Sequence, residues 1–366
     1  MSASWLALAL ALPACGDGGD GGESAPEPVR VTPAPPGEPW ETLAEWHLFS
    51  DVTKQEPADR VVPYDVIAQL YADRAVKHRF IHLPEGKVIK YSNEEKWTFP
   101  VGTILVKTFS YAGDERDHSL GERLLETRLL VREPDRWTAH TYVYDDSQAV
   151  AVRTVEGQTI PVDWIDSSGR ARHNEYGVPD TNGCHKCHGL DIALNTLGGR
   201  TRQLNRDLDY GGQTQNQIDH LARLGWLDAA PPPAAERPAL AAPFGSGPLA
   251  DRARSYLDAN CGHCHSLGGG ATESGLLLSL EDTDPATNEP ASWGVCKLPI
   301  SAGGATCGRT FDIVPGAPDQ SVMTCRVAST DPAVRMPPLG TKLPDDEGVA
   351  LLSEWIASLP AATCGT

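Results

Sequence analysis

The sequence lacks any apolar run approaching the roughly 18 residues that a bilayer-spanning helix needs. Its longest apolar stretch, residues 5–12, is far shorter, so an integral membrane protein is excluded. Positive charge is also short: 31 Lys and Arg stand against 49 Asp and Glu, for a net charge of −18. Phosphate backbones would be repelled, which excludes nucleic acid and favours a basic or neutral partner. Methionine is scarce, with only Met1, Met323 and Met336, so a thioether role has few candidates. Gly-x-Ser-x-Gly and His-Glu-x-x-His are absent and no dinucleotide fingerprint stands in a strand-to-helix turn, leaving no signature of a hydrolase or NAD enzyme. What is present is a chain of 366 residues, 40% hydrophobic and 22% charged, which excludes wholesale disorder. That length suggests about two domains. Thirty prolines and 35 glycines imply long connectors, and the nine cysteines carry most of the information.

Residues 1–15 read as an export signal: an apolar stretch ends at small residues and Cys15. Leu12-Pro13-Ala14-Cys15 resembles a bacterial lipobox, which implies Cys15 as a lipidated first residue. An ordinary signal peptide with an incidental cysteine is the other reading. Residues 16–39, rich in Gly, Asp, Glu and Pro, cannot bury enough surface to fold and read as a disordered tether. The expected location is the periplasmic face of a bacterial membrane, the outer one, with the lipid as the sole attachment.

Residues 40–228 read as a β-rich domain. Strands are expected over 99–109, 123–131, 137–144, 149–155 and 160–165, and an amphipathic helix over 64–75 behind Pro63. A helix is expected over 215–224. Residues 229–248 form a Pro/Ala-rich linker. Residues 249–366 open and close with helices, over 249–259 and 349–359.

Cys184-His185-Lys186-Cys187-His188 and Cys261-Gly262-His263-Cys264-His265 both fit Cys-x-x-Cys-His, the c-type haem attachment signature. Thiols three residues apart reach two vinyl groups from one helical turn, and the next histidine comes under the iron. One copy could equally be half a zinc site or a redox dithiol. Two copies in an exported chain favour haem. The expectation is two covalently bound haem c groups, with thioethers from Cys184, Cys187, Cys261 and Cys264 and iron ligands His188 and His265. Met336, in Arg335-Met336-Pro337-Pro338, is the candidate second ligand at the later site. Met323 reads as core.

Residues 249–359, with a helix into Cys261–His265, then Met336-Pro337-Pro338 and a closing apolar helix, resemble a class I cytochrome c domain. The resemblance implies an all-α domain with first and last helices crossing, and Cys261, Cys264, His265 and Met336 at its haem. Residues 266–311 are an insertion relative to that pattern. Trp97-Thr98-Phe99-Pro100-Val101-Gly102-Thr103, Glu126-Thr127-Arg128-Leu129-Leu130-Val131 and Thr201-Arg202-Gln203-Leu204-Asn205 resemble, with both motifs, a bacterial diheme c-type cytochrome family of uncharacterised role. That likeness suggests a parallel β-helix protein as a neighbour. The fold class expected is α+β: a β-rich N-terminal domain, sheet or sandwich, ending in one haem site, then an all-α cytochrome domain with the other.

The earlier site has no methionine left. His220 is the candidate distal ligand, ahead of His140, His173, His78 and His82. An open position is the alternative, because Phe-Pro-Val-Gly-Thr-Ile-Leu-Val-Lys over 99–107 is loosely similar to cytochrome P460. Cys296, Cys307, Cys325 and Cys364 remain, an even number that implies two disulfides with three possible pairings. Cys296–Cys307 and Cys325–Cys364 are the favoured pairs. The functional expectation is electron transfer between a donor and an acceptor redox protein, one of them conceivably an adjacent dehydrogenase. The alternative is a P460-like or peroxidase-like enzyme with an open first haem.

Overall fold

The computed structural model describes residues 27–190, 193–361 and 363–365. The export signal, Cys15 and residues 16–26 of the expected tether lie outside them, while Thr32 N donates to the Trp46 carbonyl and Val31 and Ala34 pack against the core around Trp46. A small hairpin of β1 (Phe49–Asp51) and β2 (Glu56–Pro57) leads into the main sheet. That sheet is a six-stranded antiparallel meander in chain order: β3 (Val61–Pro63), β4 (Val76–His82), β5 (Ile104–Ala112), β6 (Glu122–Arg132), β7 (Trp137–Tyr144) and β8 (Ala151–Thr154). A separate ribbon pairs β9 (Gln158–Ile165) with β10 (Ala171–Val178).

Period-2 alternation sends side chains to two faces of the sheet. On one face Phe80, Ile104, Val106, Leu129 and Tyr142 pack with Leu43, Trp46 and Leu48. The other face carries two clusters. Phe109, Tyr111 and Leu125 pack on Trp164 and Tyr176 of the ribbon. Ile81, Trp97 and Phe99 meet Leu204, Ile218 and Trp226. A bulge at Phe109/Ser110 shifts the register of β5 on β6.

Six short helices complete the chain: α1 (Thr181–His188), α2 (Thr201–Leu204), α3 (Gln217–Arg223), α4 (Leu249–Leu257), α5 (Val322–Ala328) and α6 (Asp346–Ser358). Among the described residues no helix is long and apolar enough to cross a membrane.

The expected α+β class with an all-α class I cytochrome c-like domain after residue 249 is corrected by this architecture. The molecule is β-rich. Between α4 and α5 the chain forms only a π turn at Asp258–Gly262, short 3₁₀ turns and irregular loops. Proline, glycine and Asp-led turns break any helical run there. Thr283 N donates to the Ser279 carbonyl, Ala286 N to Asp284 Oδ1 and Asn288 N to the Asp284 carbonyl. Helices α4 and α6 do share one core, in which Tyr256 and Leu257 meet Leu352, Trp355 and Ile356. A Cβ at Gly348 would collide with the Tyr256 hydroxyl, so only glycine permits this approach. Asp345 caps α6 by accepting from Gly348 N at 3.1 Å.

The helix expected over 64–75 is also absent. The donors that a helix would use internally go to distant acceptors. Asp65 N donates to Gln217 Oε1 at 2.6 Å, Ile67 N to the Gln203 carbonyl, Ala68 N to Gln203 Oε1, and Tyr71 N to Asn260 Oδ1 at 2.7 Å. Tertiary partners override a local amphipathic pattern here. Strands β4 and β10 were not among those expected from the sequence, and the strand expected over 99–109 starts only at Ile104, after a turn closed by Thr103 N on the Pro100 carbonyl.

The segment 64–75 also joins the two halves. Asp73, 2% exposed, accepts from Lys342 N and Leu343 N at 2.7 and 2.9 Å. Asn260 Nδ2 donates to the Gln69 carbonyl, and the Tyr71 hydroxyl to the Pro344 carbonyl. Residues 229–248 are docked as well. Arg237, 6% exposed, donates to the Pro232 carbonyl and Asn216 Oδ1 and pairs with Asp219.

Candidate functional site

The two Cys-x-x-Cys-His segments sit in different settings. The earlier one forms α1, which lies against β7. The side chains of Cys184 and Cys187 lie outside the described residues. His188 is partly buried, and its Nδ1 is 3.0 Å from the Asn195 carbonyl. A carbonyl only accepts, so Nδ1 carries a proton.

The later segment follows α4 through the π turn, an arrangement that turns Cys261 toward the α4–α6 core. Cys261 carries a free thiol, and burial pushes it up to about 12, so it is un-ionised at neutral pH. Cys264 stands one turn on; Cys264 N and His265 N both donate to the Cys261 carbonyl. The chain then doubles back: Ala271 N donates to the Cys264 carbonyl at 3.0 Å. A Cβ at Gly269 would strike that same carbonyl, so this return requires glycine.

His265 also carries a proton on Nδ1. Its Nδ1 is 3.2 Å from Ser274 Oγ, whose own proton goes to the Ala271 carbonyl at 2.7 Å. The hydroxyl therefore accepts from Nδ1–H and leaves Nε2 unprotonated. Burial, with Arg326 nearby, holds the imidazole down to about 4, so it is neutral at pH 7. Lys297 donates to the Ser274 carbonyl at 2.8 Å and pairs with Asp312 at 3.2 Å, bracing the loop from outside. Met336 belongs to the same neighbourhood: its N–H donates to the carbonyl of Arg326, at 2.9 Å. The loop of Met336 is thus tied to the residue whose guanidinium acts on His265. Met323 is core, 8% exposed, as expected from the sequence.

Three buried donors near these residues in sequence or core have no partner among the described residues: His263 Nδ1, Trp293 Nε1 and Arg335 Nε. Each left unpaired is costly. His263 follows Cys261 by two, Arg335 precedes Met336, and Trp293 packs in the core that Cys261 borders. The sequence offered no signal for this set, because an unpaired donor is a property of packing.

His220 lies on α3 with local partners. Its ring stacks on Tyr210 at 3.7 Å, and its Nδ1 is 3.0 Å from Gln215 Nε2. His78 pairs with Glu122 at 2.6 Å, and His173 bridges Asp163 and Glu175 on the surface. His82 and His140 are held down to about 4 by burial.

The expected pair of haem c groups is corrected here. Among the described residues no three His, Cys, Asp or Glu side chains come together as a group that could hold a metal ion. The expected all-α haem-binding domain is not formed either, because loops occupy residues 263–321. The residues present do not fit that group, and no step is drawn through it. The disulfide pairing differs too. Cys296 is at disulfide distance from Cys364, and Cys307 from Cys325, with Cα separations of 5.1 and 6.6 Å. The favoured Cys296–Cys307 pair would have closed a local loop. Instead Cys296 N donates to the Ile313 carbonyl, which directs it to the chain end. No family model, curated protein or solved structure matches this chain.

Proposed function

We propose that the protein transfers electrons between exported redox partners, with the Cys261–His265 segment as a redox centre. The observation that carries this reading is the set of proton states around it. Cys261 is un-ionised, and His265 is neutral with a fixed tautomer. Electron uptake there needs a reducible bond: a Cys261–Cys264 disulfide would accept two electrons and two protons to give the two thiols, with Ser274 and Lys297 bracing the loop beside it. The raised Cys261 thiol disfavours attack from that residue. Partner docking falls to the acidic surface: a net charge of −18 suits a basic face on the donor or acceptor. The resemblances drawn from the repeated motif point the same way.

The test is a reductive titration of the exported, full-length chain, followed by absorbance. Reversible electron uptake is expected, with its midpoint shifted or its amplitude lost in His265→Ala and unchanged in His173→Ala, which alters a surface histidine. A wild-type chain that takes up no electrons would sink the reading.

A further inference from the structure

The face of the main sheet that carries two apolar clusters also carries a row of positive charge. Arg79 of β4 and Lys107 of β5 are direct cross-strand partners, and Lys107 is in turn the direct partner of Arg128 on β6. Lys77, two residues before Arg79, stands on the same face. Directly opposed side chains approach within about 5 Å, and like charges placed so are destabilising. Three cations in one row across adjacent strands therefore need an offset.

The protein supplies part of it. Arg79, 6% exposed, pairs with Asp65 at 2.8 Å. Arg128 is gripped by Glu126, fully buried, which also accepts from the Tyr176 hydroxyl at 2.7 Å. The two lysines have no hydrogen bond or ion pair among the described residues. The Lys107 ammonium lies 4.8 Å from the Phe109 ring, and the Arg128 guanidinium 4.4 Å from the same ring. Burial and the neighbouring cations hold Lys107 well below its ordinary value and bring Lys77 to about 8. Asp345, at the start of α6, and Asp65 attract Lys77 without reaching it. Four cations thus face two paired carboxylates, on a partly exposed patch beside the strand that α1 packs against.

We infer that Lys77, Lys107 and Arg128 form a binding site for an oxyanion, of the phosphate or carboxylate class. An anion seated between the two ammonium groups would supply the missing counter-charge and keep both lysines protonated. Its source is a free small anion, with inorganic phosphate as the probe. This site is independent of the Cys261–His265 centre and stands or falls separately.

The experiment is lysine acylation of the full-length protein at pH 8, read by peptide mass spectrometry, with inorganic phosphate titrated against chloride at constant ionic strength. Only neutral amines react. Labelling of Lys107 that phosphate suppresses saturably, by about tenfold once the bound anion carries the amine's pKa about one unit above the working pH, supports the free anion. Exposed Lys87 serves as the control and should not respond. Labelling indifferent to phosphate, or protection of Lys107 without added phosphate, overturns the inference.

Discussion

In strands β4 to β8 the backbone satisfies itself strand by strand, whereas in residues 259–321 it is satisfied by turns, side chains and cross-links. The sheet needs only alternation and short connections, so its core forms from residues close in sequence. In the later half α4 and α5 both pack on α6, and the loops between them hang on that core. Regular pairing tolerates substitution at its surface. A loop region concentrates its stability in a few anchors, and those anchors are where the comparison can be broken.

The largest expected effect is at the α4–α6 core. Leu352 is fully buried, and Leu352→Ala should cost about 3–5 kcal/mol. Hydrogen exchange should show residues 259–321 opening while β5 and β6 stay protected; equal loss in both halves would dissolve the distinction. The cross-links come next. In the chain-entropy picture, removing Cys307–Cys325 costs about 3 kcal/mol and removing Cys296–Cys364, which closes the wider loop, about 4 kcal/mol. Denaturant midpoints of the paired serine variants rank them; the reverse order would point to residual structure in the unfolded chain.

Asp73→Ala should cost about 2–3 kcal/mol, because it orphans the Lys342 and Leu343 amides that dock the later half on the sheet. Urea unfolding should then separate into two transitions, and a single unshifted transition would deny Asp73 that role. Acid sharpens the contrast from the sheet side. His82 faces Arg60 and Asp59, and His140 faces Arg153 and Glu133; burial holds both at about 4. The unfolded chain binds more protons between about pH 4 and 6.5, so their contribution is present above pH 6.5 and lost as pH falls toward 4. A loss on the order of 1–2 kcal/mol per residue is expected. It should shrink in His140→Gln, as read from thermal midpoints across that range. The smallest effect is Asn260→Ala, at about 1 kcal/mol, which unties Tyr71 N and the Gln69 carbonyl. Its signature is faster proteolysis of the segment 64–75 with the sheet intact.

β7 of the sheet and β9 of the ribbon were legible from β-branched and aromatic residues, and β6 from its place between turn residues at short spacing. Helices α3 and α6 were legible from their apolar stripes. Strand β4 escaped because Lys77, His78 and Arg79 place charge where a half-buried strand usually shows apolar residues. Those same charges make the cationic row, so the miss and the candidate site share one cause. The segment 64–75 failed oppositely: its pattern suits a helix, but Gln203, Gln217 and Asn260 take its donors. Both Cys-x-x-Cys-His segments were readable at once; the neutral tautomer of His265, the orphaned donors and the place of Met336 beside Arg326 were not.

The sequence by itself determined the places of several strands, the positions of the two cysteine–histidine segments, the count of cysteines open to pairing and the net acidic charge. These are local or additive properties of the chain. Tertiary structure decided which cysteines meet, that loops rather than helices fill residues 263–321, that 64–75 lies extended between the halves, and that Arg79, Lys107 and Arg128 stand in one row. Each depends on register or on partners far away in sequence, where a shift of one residue sends every side chain to the other face.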